Sequence, residues 1–479
     1  MGEDQMIDLL IEHGTVITVD KKRRIIRDGA VAVEKDKILD VGTTKELKEK
    51  YKAREVIDAT RKVVMPGLTD THAHGDELHK TVAHHEPVHD GLTDHLYRSE
   101  SKEAWYWGGM LCALEKLKFG TTCGMSMMHR RSDNPDSPSA FAKAHAEVGI
   151  RAVVTVGPSV HPTRTVFPDR EKEGVERTVY YDDYYDIVEE IMRRWHGKAD
   201  GRIQIWPCPS DDICISPIFD KLKKDDIPTL REKAQKWKDL AEKHHTGIHS
   251  HSSAPGVIKF AHEKLNILGP NVILAHCVGM LEEEIPILKK TGAHAAHCPY
   301  AINAIGQYCP SPEMIDAGVS VSLGSDAPAA TTNPPFDQFM VMRGAQWLQM
   351  VRFKDPNMMP AGKLIEMVTI DGARAFGLDK QIGSLESGKK ADIILVDMFK
   401  PHLVPIFTEW DRIVFEASGH DVDTVLVDGK ILMEHRKVKT VDEAKVMEKA
   451  QEEAEKMVET AGAQPFMQIH EHFWGHSRY

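Results

Sequence analysis

Residues 62–375 alternate short, strand-like apolar runs with helical stretches, and this alternation restricts the chain to few architectures. The runs fall at 151–156, 203–206, 247–251, 272–276, 292–297 and 319–324, with helical patterns between them, as over 227–243 and 255–264. Strand-to-helix repeats of this length predict a parallel sheet covered by helices. Spread over about 250–300 residues, they favour a (β/α)8 TIM barrel over an open doubly wound sheet. No Gly-x-Gly-x-x-Gly follows the first strand of the region, so a dinucleotide site has no support.

The ends of the chain differ. Residues 9–11, 14–19, 29–33 and 37–42 read as short strands, and comparable runs return at 391–397 and 422–432. The expected division is therefore a small composite β-sandwich domain built from 1–61 and 376–440, a barrel over 62–375, and a helical tail over 441–479. The charged 441–460 pattern predicts a solvated helix packed on the β-domain or on a neighbouring subunit.

Composition narrows the class. The chain has 479 residues, 41% hydrophobic and 28% charged, with a formal net charge of −12. That balance disfavours nucleic acid or an anionic membrane as partner. No apolar run approaches a membrane span and the first residues are acidic, which together point to the cytoplasm. Seven scattered cysteines include no Cys-x-x-Cys pair, so neither a disulfide framework nor a thiolate zinc site is expected.

Chemistry concentrates at the predicted strand ends, where barrels carry their sites. His72 and His74, two residues apart after Met65-Pro66-Gly67-Leu68-Thr69-Asp70-Thr71, point to one face of a strand. His249 and His251 repeat that spacing, and spacing alone does not choose between them. His276, His297 and Asp326 end later strands. Imidazoles with one carboxylate suit Zn²⁺, with Fe²⁺, Co²⁺ or Mn²⁺ as other occupants. Trp105, Trp107, Met125, Met127, Met128 and Trp206 lie near strand ends, and barrel packing explains each of them as well as a substrate pocket does.

The 65–74 segment, Leu323-Gly324-Ser325-Asp326, and the run from Gly383 to Ile393 resemble the amidohydrolase superfamily. The resemblance spans nearly the whole chain and is nearest the branch of cytosine deaminase, methylthioadenosine deaminase and the triazine hydrolases. It implies one divalent metal held by His72, His74, His251 and Asp326, with His249 in support. Asp326 would also move protons, and His276 would contact the attacking water or the substrate oxygen. His297 and His129 become candidate substrate contacts. The fourth-strand run, Ile203 to Pro207, lacks the lysine of dinuclear members. Relatives often form homo-oligomers.

One departure stands out. Deaminases of the branch carry a glutamate three residues after the fifth-strand histidine, and here that position is Ala254. The expected activity is therefore hydrolysis, with a metal-activated water, of a C–N bond in a small amide, urea or carbamate-like molecule. An aminohydrolase or chlorohydrolase of an N-heterocycle is the alternative. A non-catalytic metal-binding scaffold is the rival of another class.

Overall fold

The computed structural model describes residues 5–75, 78, 96, 99–128, 134–158, 164–168, 176–209, 227–301, 307–327, 335–469 and 474–475. Its middle region contains two four-stranded parallel sheets. The first joins β1 (Leu68–Asp70), β2 (Thr121–Met127), β3 (Arg151–Val156) and β4 (Ile203–Pro207) in that spatial order. The second joins β5 (Ile248–Ser252), β6 (Val272–His276), β7 (His294–His297) and β8 (Val321–Leu323). Backbone bonds link the end of β8 to the end of β1: Thr71 N donates to Leu323 O, Asp326 N to His72 O, and His74 N to Ala327 O.

Every residue of β2 and β3 is buried, as expected for strands covered on both faces. The strand Ile248–Ser252 is instructive because only one of its five residues is apolar, yet all five are buried. Local propensity does not explain such a strand. Neighbouring backbone pairs it, and its polar side chains face a polar interior.

Helices between the strands follow the usual stripe. In Ile227–His244, Leu230, Ala234, Trp237 and Ala241 are buried, and Trp237 Nε1 donates to Tyr181 Oη at 2.9 Å. The helix expected over 255–264 is shorter and irregular. An α-turn, Val257–Phe260, passes into a π-turn, Ala261–Leu265, which ends at Asn266 in the left-handed region.

The two ends of the chain meet in one nine-stranded sheet. Its path runs Lys437–Val438, Lys430–Glu434, Val422–Val427, Ile393–Asp397, Lys62–Pro66, Gln5–Ile17, Ile25–Glu34 and Lys37–Thr43, with Tyr51–Asp58 pairing Gln5–Ile17. Lys62–Pro66, read from sequence as the start of the middle region, pairs with both Gln5–Ile17 and Ile393–Asp397. The late run over 422–432 splits into a hairpin at Asp428-Gly429, both with positive φ, the pairing a type I′ turn requires.

The tail helix, Glu443–Thr460, is capped by Asp442, whose side chain accepts from Lys445 N. It packs differently from the sequence-based expectation. Ala450, Ala454 and Met457 cluster with Leu78, Leu96 and Ala104, so the helix lies on Lys102–Lys118 of the middle region. A stripe of small residues, invisible to a charge-based reading, lets the two helices approach. No described helix is long and apolar enough to cross a membrane.

Candidate active site

His72 and His74 occupy the segment that leaves β1, held between β2 and β8. Met127 N donates to Ala73 O at 2.7 Å, and His74 bridges Met127 in parallel register. Asp70 braces the same corner. Its Oδ1 accepts from Ser325 N at 3.0 Å and from His72 N at 3.4 Å, and its Oδ2 from Ser325 Oγ at 2.6 Å. Burial pushes the Asp70 carboxyl up, against the charge of Lys116 and the Ser325 hydrogen bonds. Asp70 is not among the residues that spacing marks as ligands. Its position two residues before His72, on the same strand face, was the available signal.

The histidines converge as the spacing predicts. His72 Nε2 lies 3.0 Å from Asp326 Oδ1, and His74 Nε2 lies 3.2 Å from the same oxygen. On its other side, His72 Nδ1 is 2.9 Å from His249 Nε2. Ring centroids of His251 and His276 are 5.0 Å apart in a stacked arrangement, and each lies about as close to His72. Two overlapping sets have ligand atoms within 4.8 Å of one another: His72, His74 and Asp326, and His72, His251 and His276. Both histidines of β5 thus face the cluster, but His249 reaches it through His72 and His251 stands within ligand range. His276 does so as well.

His297, at the end of β7, is buried beside this group, and neither of its ring nitrogens has a hydrogen-bond partner among the described residues. His129 lies outside the described residues. Of the proposed pocket residues, Met125 and Trp206 pack with Val153, Ile273 and Phe376 in the interior, which is the packing reading. Trp105 and Met128 line a small void with Gly75 and the buried Glu100. Trp107 packs toward the tail helix.

Electrostatics fit an ion-binding role. Burial holds His72 and His249 well below the usual histidine range, His276 down to about 3 and His297 to about 4. These imidazoles are therefore neutral and offer lone pairs. Burial raises the Asp326 carboxyl, but electrostatic interaction with the His276 ring and hydrogen bonds from His72 and His74 outweigh it and hold it well below the usual range. A buried carboxylate among neutral rings is costly without a cation. The His276 Nδ1, buried with no hydrogen-bond partner among the described residues, adds an unused donor atom.

Backbone geometry is special at two of these positions. His276 and Asp326 have φ of 72° and 56°, a left-handed conformation that costs a non-glycine residue about 1–2 kcal/mol. Such strain concentrates at functional sites. Gly324 permits the corner: a Cβ there would fall 2.8 Å from His72 Cβ and 2.9 Å from the His72 backbone N and O.

A parallel α/β protein with buried, neutral imidazoles and one carboxylate gathered at its strand ends has the make-up of a metal-dependent hydrolase. Residues 63–432 match the Amidohydrolase family model, and the chain belongs to that family. It is 31% identical over 470 residues to a 5-methylthioadenosine/S-adenosylhomocysteine deaminase of Thermoanaerobacter pseudethanolicus, covering 95% of this chain and 100% of the relative. It is 32% identical over 478 residues to a 5'-deoxyadenosine deaminase of Methanosarcina acetivorans, covering 96% and 100%. Among solved structures it is similar to a zinc-bound adenosine deaminase from Xanthomonas campestris, with TM-score 0.79, 22% identity and 95% and 99% coverage. A zinc complex of atrazine chlorohydrolase from Arthrobacter aurescens gives TM-score 0.75 at 19% identity, covering 93% and 100%. The protein is thus a hydrolase acting on carbon–nitrogen bonds other than peptide bonds.

Proposed function

We propose that the protein hydrolyses a C–N bond in a small amide, urea or carbamate-like molecule, and that Ala254 carries this reading. The position that would protonate a ring nitrogen holds a methyl group, 7% exposed and packed in the core cluster. Asp326 is the one carboxylate in the described ligand sets. An acyclic amide or urea needs protonation only at its leaving nitrogen, so one proton carrier suffices.

In this reading His72, His74, His251 and Asp326 hold a single divalent cation, zinc by the donor set. Such a cation supplies Lewis acidity and lets water ionise near neutral pH. Asp326 takes a proton from the attacking water and delivers it to the departing nitrogen. His276, neutral, donates its ring N–H to the oxygen that gains charge at the reacting carbon. His249 fixes the His72 ring through Nδ1, as outer hydrogen bonds to metal-binding histidines do. His297, whose ring nitrogens are unused, contacts the substrate, and His129 is a further candidate contact. The products are an amine together with a carboxylate from an amide, a carbamate from a urea, or a carbonate half-ester from a carbamate.

The β8-to-β1 hydrogen bonds support reading the two parallel sheets as one closed (β/α)8 barrel. The nine-stranded sheet supports a composite β-sandwich from 1–61 and 376–440, with 441–479 as a helical appendage. We place the protein in the cytoplasm as a homo-oligomer, on its composition and its resemblance to the family.

A second reading, an aminohydrolase of an N-heterocycle, is favoured by the deaminase names of relatives aligned over the whole chain. In that case the ring proton must come from elsewhere, and the buried Glu100 beside Gly75 and Met128 is the carboxylate to test. The zinc-loaded protein should be assayed for amine and ammonia release on ureas, carbamates, anilides and aminoheterocycles. Amine release from the acyclic set supports the first reading; ammonia from aminopurines or cytosine, with none from the acyclic set, overturns it. Ala254→Glu adds the missing carboxylate, and new ammonia release by that variant would support the assignment of position 254.

A further inference from the structure

The strands carry a second cavity at the pole opposite the histidines. It measures about 530 Å³, within the range of roughly 300–1,000 Å³ typical of small-molecule sites. Gln204, Trp206, Thr246, Asn271, Phe376 and Gln381 supply its distinctive walls. Thr246 lies two residues before β5 and Asn271 directly before β6, while Phe376 and Gln381 follow the helix Ile370–Ala375 that packs beneath the sheet. Five residues of extended chain separate Thr246 from His251, or about 16 Å. The cavity is therefore distinct from the candidate active site.

Several of its polar groups keep hydrogen-bonding capacity that the described residues do not use. Thr246 is 6% exposed, and its Oγ1 has no hydrogen-bond partner among the described residues. Gln204 Oε1 accepts from the Trp206 indole N–H at 2.9 Å, which leaves the Gln204 amide nitrogen as donor. Asn271 Nδ2 donates to Thr246 O at 3.3 Å, leaving its Oδ1 as acceptor. Gln381 engages Leu378 and Lys390 through its main chain. The apolar walls are the rings of Trp206 and Phe376, packed edge to face at 6.2 Å. Gly247 makes room for this, since a Cβ there would fall 2.3 Å from the Trp206 ring.

Charge selects the ligand class. The cations in the wall are already committed: Arg151 pairs with Asp392 and Asp428, and Lys390 with Asp36 and Asp428. Asp200 pairs with Arg202, and His196 Nδ1 accepts from Ile205 N, with His245 exposed at the rim. The groups left over at the buried end are the neutral amides and hydroxyl, beside the edges of two aromatic rings. We propose that this cavity binds an uncharged, planar N-heterocycle of nucleobase size, read along its edge by Gln204, Asn271 and Gln381 and by the Thr246 hydroxyl. An apolar ring edge and paired donors and acceptors are what such a molecule offers in return.

Calorimetric titration of the zinc-loaded full chain with adenine tests the proposal. An Asp326→Ala background removes turnover, and binding there is assigned to the second cavity by its loss in Gln204→Leu or Gln381→Leu, both at the pole opposite the histidines. One adenine per chain should bind in that background, and Gln204→Leu or Gln381→Leu should weaken it at least tenfold with melting temperature unchanged. Gln381 is exposed, so its variant keeps the fold even where Gln204→Leu disturbs the strand. Absence of binding in the Asp326→Ala protein overturns the proposal. So does binding that both leucine variants leave intact.

Discussion

Replacing Gly324 by alanine adds one methyl group where three atoms of His72 already stand. The new carbon would meet His72 Cβ at 2.8 Å and its N and O at 2.9 Å, whereas ordinary contact begins near 3.4 Å. The β8 end and the β1 end must therefore part by about half an ångström. Two of the hydrogen bonds that register these strands, Asp326 N to His72 O at 2.9 Å and Thr71 N to Leu323 O at 3.2 Å, lie at this joint. Overpacking of this kind costs about 1–3 kcal/mol. The larger effect should fall on the site, because ligand geometry tolerates displacements of only about 0.5 Å. We expect Gly324→Ala to lower zinc affinity by about 10- to 100-fold, the range seen when groups that orient metal-binding residues are disturbed. Competition with a chromophoric chelator measures this without knowledge of the substrate. A melting temperature lowered by a few degrees should accompany it. Wild-type zinc affinity in a folded Gly324→Ala protein would show that the close approach of β8 to His72 does not set the site.

Asp326→Ala should abolish hydrolysis and weaken zinc binding; turnover near wild type after chelation would remove the ion from the mechanism, and in Asp326→Ala it would remove the carboxylate. Arg151→Met leaves Asp392 buried without its cation while Asp428 keeps Arg202 and Lys390, and breaking such a buried pair costs about 3–5 kcal/mol; denaturant titration with an unchanged midpoint would refute that importance. His145 is fully buried, its Nδ1 is 3.1 Å from Phe141 O, and burial holds it down to about 3. Below the unfolded value near 6.5 the unfolded chain binds a proton that the folded chain refuses, so stability falls as pH drops from 6.5 toward 3. His145→Gln should flatten that part of the stability-against-pH curve, and an unaltered slope would assign the acid sensitivity elsewhere.

Much of the architecture was legible because burial and periodicity coincide. β3 and β6 begin and end where their apolar runs do, and the Ile227–His244 helix follows its stripe. Irregular backbone was not legible. Nothing in the residues 255–264 announces a π-turn, since its register depends on how Leu265 and Ile267 seat against the core. The tail helix was misplaced for a related reason: charge pattern identifies an exposed face, but not which neighbour receives the buried one.

At the candidate site, the kinds of group present and the strand ends that carry them can be read from the residues alone. Two His-x-His pairs, His276 and Asp326 follow from period-two geometry and from strand boundaries. Ala254, as an absence of acid, is equally a fact of the sequence. How these groups are arranged around one another is set by the packing of distant strands. The two β5 histidines have identical spacing and facing, yet His249 meets His72 Nδ1 while His251 stacks on His276. That distinction depends on distances between strands 177 residues apart in the chain, which local periodicity cannot encode. The same holds for Asp70 and Gly324, whose roles arise where β1 and β8 touch.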